Sequence, residues 1–284
     1  MSFEVIMSAF DSFIQSVKWE METPLPYGVW HIVSLLLVAA LTVCLVVFFR
    51  DAKDKTMRTI IFIGWLVMVL LETYKQVIFS MNMDGDVAVW DYAWYAFPFQ
   101  FCSSPLYALP FVFLLKDCKL RRCFITFLST FSLLAGIGVM LYPNTVFMKY
   151  IGINVQTMVH HGLQVAFGIY LFAYNRRHMR WRSLSGGILV FCGFLVAAMC
   201  LNLGVHHWLI ANGADDTFNM FFISPYHDCE LPVLSVIRQK APYLVFLAVY
   251  VIGFSLGAFL IQSIEKGIAK LCTRSCKKEV EIEA

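Results

Sequence analysis

The chain has 284 residues, of which 60% are hydrophobic, 16% are aromatic and only 14% are charged. Soluble proteins carry about 25% charged residues, so this composition excludes an ordinary water-soluble protein and favours one that resides in a lipid bilayer. The formal net charge of +3 is too small for a nucleic-acid-binding surface. Nine cysteines in so apolar a chain are interpreted as reduced, mostly packing residues rather than disulfide pairs.

The first 28 residues are predicted to form a separate segment at the membrane surface. Large apolar side chains recur at steps of three and four residues from Phe3 to Val17, the period of a helix with one apolar face. Pro24 and Pro26 follow and end that helix. We expect it to lie flat on the outer interface.

Seven later stretches are apolar and close to the roughly 20 residues that a helix needs to cross a bilayer. They cover residues 29–49, 59–80, 94–115, 123–142, 152–173, 184–204 and 243–263. The sequence therefore predicts an all-α, polytopic bundle of seven transmembrane helices over residues 29–263, followed by a charged tail over 264–284.

The basic residues are distributed unevenly between the connections. Most of the 22 Lys and Arg residues lie at 50–58, 116–122 and 174–183 and in the tail, which are alternate connections of the seven-helix bundle. Short connections rich in Lys and Arg stay on the cytoplasmic side of a membrane. We therefore expect the N-terminus to lie outside and the C-terminus to lie in the cytoplasm.

Several polar side chains fall at one depth of the predicted bundle. Ionisable groups inside membrane helices are costly and usually face the bundle interior, so they are the first candidates for function. With a rise of 1.5 Å per residue, Glu72, Cys102, His161 and Tyr250 lie roughly 12 Å below the outer boundary on four different helices. His160 lies there as well, but neighbours on a helix point about 100° apart, so only one of the two histidines can face Cys102.

The third span is predicted to be kinked or broken beside Cys102, because Pro98 and Pro105 each remove a backbone donor. Non-helical backbone at this depth requires a protein-lined or water-filled cavity. A thiol opposite an imidazole in such a cavity is the pairing needed for nucleophilic acyl transfer. The candidate catalytic residues are therefore Cys102, His161, His160 and Glu72. The alternative is that Cys102 is a packing residue and that Glu72 only neutralises Lys75.

The longest connection, residues 205–242, contains the apolar run Phe218–Ile223. Because an exposed run of this kind favours aggregation, we expect it to fold back over the outer mouth of the bundle as a cap. The candidate substrate-binding residues are Gln100, Asn202, Asn219 and Tyr250. The histidines of this connection show no regular metal-ligand spacing, so no metal site and no cofactor are predicted.

Three stretches carry a family resemblance: the aromatic, Pro and Cys segment 97–103, the His-Gly segment 161–171, and the late region 202–220 with Ala241-Pro242-Tyr243. Over roughly residues 30–262 the sequence resembles the YwaF-type family of bacterial integral membrane proteins. That family is related to eukaryotic transmembrane acyltransferases that act on polyunsaturated ether phospholipids. The resemblance implies a helical membrane fold in the bacterial cell membrane, with a Cys nucleophile and a His partner that map onto Cys102 and His161.

The leading hypothesis is an integral membrane lipid acyltransferase or acyl hydrolase that uses Cys102 and His161 in an outer-half pocket. The runner-up is a non-enzymatic transporter or receptor that binds a small ligand or a proton through Glu72, Lys75 and His161. A third hypothesis is a structural subunit of a membrane complex. Membrane lipids are the expected partners, nucleic acids are not, and the oligomeric state, acyl donor and acyl acceptor are left open.

Overall fold

The computed structural model describes the backbone of residues 3–143 and 146–283, and the side chains of residues 8–143 and 146–271. Apart from its connections and one β-hairpin, this part of the chain is helical. Its elements are α1 (Phe3–Val17), α2 (Val29–Phe49), α3 (Asp54–Ser80), β1 (Met81–Asp84), β2 (Val87–Trp90), α4 (Pro105–Leu114), α5 (Lys119–Phe127), α6 (Leu133–Leu141), α7 (Ile151–Asn175), α8 (Leu184–Ala211), α9 (Leu234–Lys240) and α10 (Tyr243–Glu283). The hairpin marks one end of the bundle, called the hairpin side below, and the basic connections mark the other, the basic side.

Five helical stretches in the described part are long and apolar enough to cross a membrane. They are Val29–Phe49, Asp54–Ser80, Lys119–Leu141, Trp181–Ala211 and Tyr243–Leu271. Each corresponds to one of the seven predicted spans, so the all-α membrane architecture is confirmed and the count of seven is not. The two remaining predicted spans, residues 94–115 and 152–173, do not form helices that are both long and apolar enough to cross a membrane, and the physical reason differs between them.

The predicted span 94–115 is not one continuous helix. Two short 3-10 turns, Trp94–Ala96 and Phe101–Ser103, precede α4, which has only ten residues. Pro110 lies inside α4 and has no N–H for the carbonyl of Leu106. The indole nitrogen of Trp65 donates to that carbonyl at 2.8 Å, so a neighbouring helix replaces the missing bond. The predicted break beside Cys102 is therefore present.

The predicted span 152–173 corresponds to α7, which is long enough but carries many polar residues. This helix packs against α2, α3 and α6, and most of its side chains are buried. A β-carbon at Gly64 of α3 would lie 2.1 Å from Cζ of Phe167, so only glycine permits this close approach of α3 to α7. Because neighbouring helices enclose α7, its polar groups are shielded from lipid and can face one another.

The hairpin side is closed by α1 and the β1–β2 hairpin, which lies between the predicted spans 59–80 and 94–115. Gly85 has a φ of 61°, the conformation that the first position of a tight hairpin turn requires. Asp11 of α1 accepts a hydrogen bond from the Ala88 amide at 3.0 Å, and the Tyr74 hydroxyl donates to the Val17 carbonyl at 2.8 Å. The α1 helix is thus fastened to the hairpin and to α3.

Candidate functional site

A cavity of about 240 Å³ lies near the hairpin side, between α3, α7 and the turn that carries Cys102. Five ionisable or nucleophilic side chains share its wall: Glu72, Lys75, Cys102, His160 and His161. The four candidate catalytic residues of the sequence analysis therefore line one cavity. Gln156, Thr157 and Ser103 add polar groups, and Phe79 and Tyr95 add apolar surface.

Cys102 lies in the 3-10 turn Phe101–Ser103, three residues before α4 begins at Pro105. Its side chain is partly exposed to the cavity rather than fully packed. No hydrogen bond joins the sulfur atom of Cys102 to His160 or His161 in the described structure.

His160 contacts the backbone of Cys102 rather than its thiol. The Nε2 atom of His160 lies 3.1 Å from the carbonyl oxygen of Cys102. Since a carbonyl oxygen only accepts hydrogen bonds, Nε2 must carry the proton, and in the neutral imidazole Nδ1 then holds the lone pair. That Nδ1 is buried and has no hydrogen-bond partner. His160 therefore stabilises the position of the turn that carries the thiol.

His161 is held by its own helix. Its Nδ1 lies 2.8 Å from the carbonyl oxygen of Thr157, one turn earlier in α7. The same reasoning gives Nδ1 the proton and leaves the lone pair on Nε2, which is buried without a partner. His161 thus presents a basic nitrogen in a fixed tautomer, as a general base requires. The two imidazole rings lie 5.3 Å apart.

Glu72 is buried and satisfied by neighbours other than the histidines. Lys75 forms a salt bridge with Oε1 at 2.8 Å, and Gln76 donates to the same oxygen at 2.8 Å. Gln156 of α7 donates to Oε2 at 3.4 Å. No hydrogen bond connects Glu72 to an imidazole among the described residues, so it does not orient His161 directly.

The candidate substrate-binding residues lie apart from this cavity and hold the backbone of residues 219–224. Gln100 donates to the Asn219 carbonyl and accepts from the Phe221 amide, both at 2.9 Å. Asn202 donates to the Met220 carbonyl at 3.0 Å and accepts from the Met220 amide at 2.7 Å. Each side-chain amide therefore makes two hydrogen bonds with this backbone, one donated and one accepted, as a neighbouring β-strand would.

Asn219 and Tyr250 extend the same support. Asn219 donates to the Asp228 carbonyl at 2.9 Å and accepts from the Ser224 amide at 3.0 Å. The buried Tyr250 hydroxyl donates to the Phe221 carbonyl at 2.9 Å. These polar groups bind backbone of the connection and leave little capacity for a substrate.

The clamped segment, residues 218–224, is buried and strained. The side chains of Phe218, Met220, Phe221 and Ile223 are at most 2% exposed, so the segment is packed on the bundle as a cap. Phe221 and Phe222 have φ values of 58° and 55°, which bulky residues rarely adopt. The clamps from Gln100 and Asn202 hold this conformation in place.

A cluster of ionisable side chains holds together the parts of the 205–242 connection that flank the clamped segment. Asp216 accepts from His206 at 2.5 Å, from His227 at 3.0 Å and from the Phe218 amide at 3.1 Å. Burial raises the pKa of Asp216, but the hydrogen bonds from His206, Phe218 and His227 lower it by more, so its pKa lies below the ordinary value. Among the described side chains no group of three or more His, Cys, Asp or Glu is arranged to hold a metal ion.

Several cavity residues were not singled out from the sequence. Thr157 precedes His161 by one helical turn. Side chains four apart on a helix are neighbours, so this spacing was a usable signal. Ser103 and Tyr95 lie in non-helical backbone, where spacing carries no such information.

A protein-family model described as the TMEM164 family matches residues 26–261. The chain belongs to the TMEM164 family. The match includes every helix that lines the Cys102 cavity and the whole clamped segment, and it begins after α1. No curated protein and no solved structure matches the sequence. With five apolar, membrane-length helices in its described residues, the chain is a membrane protein of the TMEM164 family.

Proposed function

We propose that this TMEM164-family protein is a lipid acyltransferase or acyl hydrolase in which Cys102 is the nucleophile and His161 is the base. One observation carries the proposal: Cys102 and His161 line the same cavity, and the Nε2 atom of His161 has no hydrogen-bond partner among the described residues. The resemblance to YwaF-type proteins and their acyltransferase relatives supports the same assignment.

The proposed reaction begins when an ester carbonyl enters the cavity. His161 Nε2 takes the proton of the Cys102 thiol while the sulfur attacks the carbonyl carbon. The carbon–oxygen bond of the ester then breaks, and the leaving alkoxide takes the proton from the imidazolium. An acyl-thioester remains on Cys102, and a hydroxyl group or water, deprotonated by His161, attacks it to release the chain and regenerate the thiol.

The remaining groups have supporting roles in this proposal. His160 fixes the turn that carries the nucleophile, through its bond to the Cys102 carbonyl. Glu72 and Lys75 form a buried pair on the cavity wall, so a thiolate would share the cavity with one cation and one anion. Sulfur and imidazole in an unoccupied site often sit beyond hydrogen-bond distance and approach when substrate binds.

The size of the cavity limits what enters it. Drug-sized ligands occupy pockets of about 300–1,000 Å³, whereas this cavity has about 240 Å³. An ester group with the start of its chain fits this volume, and a whole phospholipid does not. We infer that the acyl chains remain between the apolar helices while the ester reaches Cys102.

The proposal includes the topology of the chain. With α7 and the broken segment 94–114 counted as crossings, the bundle has seven, the N-terminus lies outside and the basic side faces the cytoplasm. The alternating basic connections support this orientation. The Cys102 cavity would then open toward the outer half of the bilayer. Residence in the bacterial cell membrane stays a prediction.

A second candidate function is a transporter or receptor for a small ligand or a proton. The buried Glu72–Lys75 pair favours it, since ionisable groups inside a membrane often mark such pathways. The two candidates differ in what they require. The enzyme needs a thiol at position 102, and the transporter needs the carboxylate at position 72.

The experiment that separates them uses the full chain in liposomes with a phospholipid labelled in one acyl chain and an unlabelled lysophospholipid. We expect transfer of label to the lysolipid, or release of free fatty acid, by the natural protein and almost none by Cys102→Ser. Cys192→Ser, on α8 away from the cavity, is the matched control and should retain activity. Equal rates for the natural protein and Cys102→Ser would contradict the proposal.

A further inference from the structure

A second cavity, of about 530 Å³, lies at the basic side between α2, α6, α7 and α10. Its walls are mostly aliphatic or aromatic and include Val46, Leu133, Ile137, Ile169, Phe172 and Ile261. Phe172 follows His161 by eleven residues on α7, so the two cavities are separated by roughly 16 Å along that helix. The volume is within the range of about 300–1,000 Å³ that ligand sites occupy.

Glu265 is the unusual member of this second cavity. Its side chain is only 9% exposed, and neither carboxyl oxygen has a hydrogen-bond partner in the described part of the chain. The adjacent cation does not serve it, because Lys266 donates to the Met179 carbonyl at 3.0 Å and lies over the Trp181 ring. A buried polar group without a partner is costly and rare. A bound molecule that donates a hydrogen bond would satisfy this carboxyl group.

Two arginines line the same cavity, at the basic ends of α2 and α7. Arg176 binds Asp51 at 2.6 Å, and Arg50 contacts the same carboxylate at 3.4 Å. Two guanidinium groups against one carboxylate leave one net positive charge beside an apolar cavity. Guanidinium groups bind phosphate oxygens in a planar, bidentate manner, so an anionic phosphate is the complementary group.

We propose that this cavity binds a phospholipid whose head group carries an N–H or O–H donor. Its phosphate lies at Arg50 and Arg176, an acyl chain lies among the apolar wall residues, and the head-group donor bonds to Glu265. An apolar wall, a cationic rim and an unpaired acceptor match the three parts of such a lipid. The site is independent of acyl transfer at Cys102, and its test measures binding alone.

The test is native mass spectrometry of the full chain, titrated in detergent with dioleoyl phosphatidylethanolamine or dioleoyl phosphatidylcholine. The two lipids share chains and phosphate, but only ethanolamine offers an N–H donor. We expect ethanolamine lipid to bind about tenfold more tightly, as a charge-assisted hydrogen bond implies. Glu265→Leu should bring the two affinities together, and Glu265→Gln, which keeps an acceptor, should retain part of the difference.

Three further variants complete the design. The double variant Arg50→Gln/Arg176→Gln should weaken both lipids about equally, because it removes the phosphate contact. Ile264→Trp, at a half-exposed cavity position, should narrow the site and remove one bound lipid even if Glu265→Leu does not fold. Ser263→Ala, whose hydroxyl only bonds its own helix, is the control. Equal binding of the two lipids by the natural protein, or an unchanged difference in Glu265→Leu, would overturn the proposal.

Discussion

The Nε2 atom of His160 lies 3.1 Å from the carbonyl oxygen of Cys102, so α7 is bound to the turn of the candidate nucleophile through the backbone. The adjacent His161 instead bonds its own helix and keeps a free Nε2. Each imidazole keeps one unpaired nitrogen, but only His160 contacts the turn of Cys102, so in the proposed mechanism His160 positions the nucleophile and His161 accepts its proton.

This division predicts different effects of substitution. His161→Ala should lower acyl transfer by about 10²–10⁴-fold, the usual contribution of a general base. His160→Ala should cost less, because the thiol and the base remain and only the Cys102 carbonyl loses its donor. His160→Gln should recover part of the loss, since an amide N–H can reach the same carbonyl. Label transfer between lipids in liposomes measures all three.

The control for these variants is thermal unfolding in detergent, which should change little for His161→Ala. The double variant Cys102→Ser/His161→Ala should be no slower than either single variant, because residues that act as a unit are not additive. A greater loss from His160→Ala than from His161→Ala would reverse the assigned roles.

The Glu72–Lys75 pair predicts that removing one of its two charges destabilises the protein more than removing both. Removing one partner of a buried ion pair leaves an unpaired charge and costs about 3–5 kcal/mol of unfolding free energy. Lys75→Met should therefore destabilise the protein, and the double variant Glu72→Gln/Lys75→Met should recover most of the loss. Thermal unfolding of the four forms in one detergent tests the coupling. Additive effects of the two substitutions would show that the pair is not coupled.

The two hydrogen bonds between Asn202 and the Met220 backbone predict that the packing of residues 218–224 depends on this one side chain. Asn202→Leu removes both hydrogen bonds to the buried Met220 backbone, at a cost of about 1–3 kcal/mol for each unsatisfied group. Amide hydrogen exchange in residues 218–224 should rise sharply in this variant. Asn212→Ala, at an exposed position in the same connection, is the control and should change exchange little. Fast exchange of residues 218–224 in the natural protein would contradict a packed cap.

The hydrogen bonds of Asp216 predict that the connection over residues 205–242 loses stability at acid pH. Because its folded pKa lies below the ordinary value near 3.9, its contribution to stability is present above that value and is lost as the pH falls through the folded pKa. Asp216→Asn should therefore be less stable than the natural protein near neutral pH, and the difference should shrink as the pH falls below about 4. Thermal unfolding of both forms across this range tests the sign. A difference that grows on acidification would be inconsistent with the lowered pKa.

The Cys102 cavity could be predicted because depth along a helix follows from residue count alone. Glu72, Cys102 and His161 occupy different elements, and counting from the span ends placed them in one layer. The rotation of each helix does not follow from counting. Tyr250 was placed in the same layer, yet its hydroxyl donates to the Phe221 carbonyl and its side chain does not line the Cys102 cavity.

The clamp roles of Gln100 and Asn202 could not be predicted, because they depend on the unusual backbone at Phe221 and Phe222. No local pattern in an apolar run signals a left-handed conformation at two aromatic residues. The hairpin, by contrast, was predictable. Apolar and polar residues alternate from Met81 to Asp84, and the β-favouring Val87, Val89 and Trp90 follow the two-residue turn Gly85-Asp86, but the segment was interpreted only as a connection.

The most direct measurement of the central claim is the intact mass of the full chain after incubation with an ester-linked phospholipid of defined acyl composition. The account predicts a mass increase of one acyl group that is removed by neutral hydroxylamine, maps to the peptide containing Cys102, and is absent in Cys102→Ser. His161→Ala should accumulate it far more slowly, and Cys192→Ser should accumulate it normally. An unmodified Cys102 in a sample that transfers label, or an acyl group on another residue, would contradict the account.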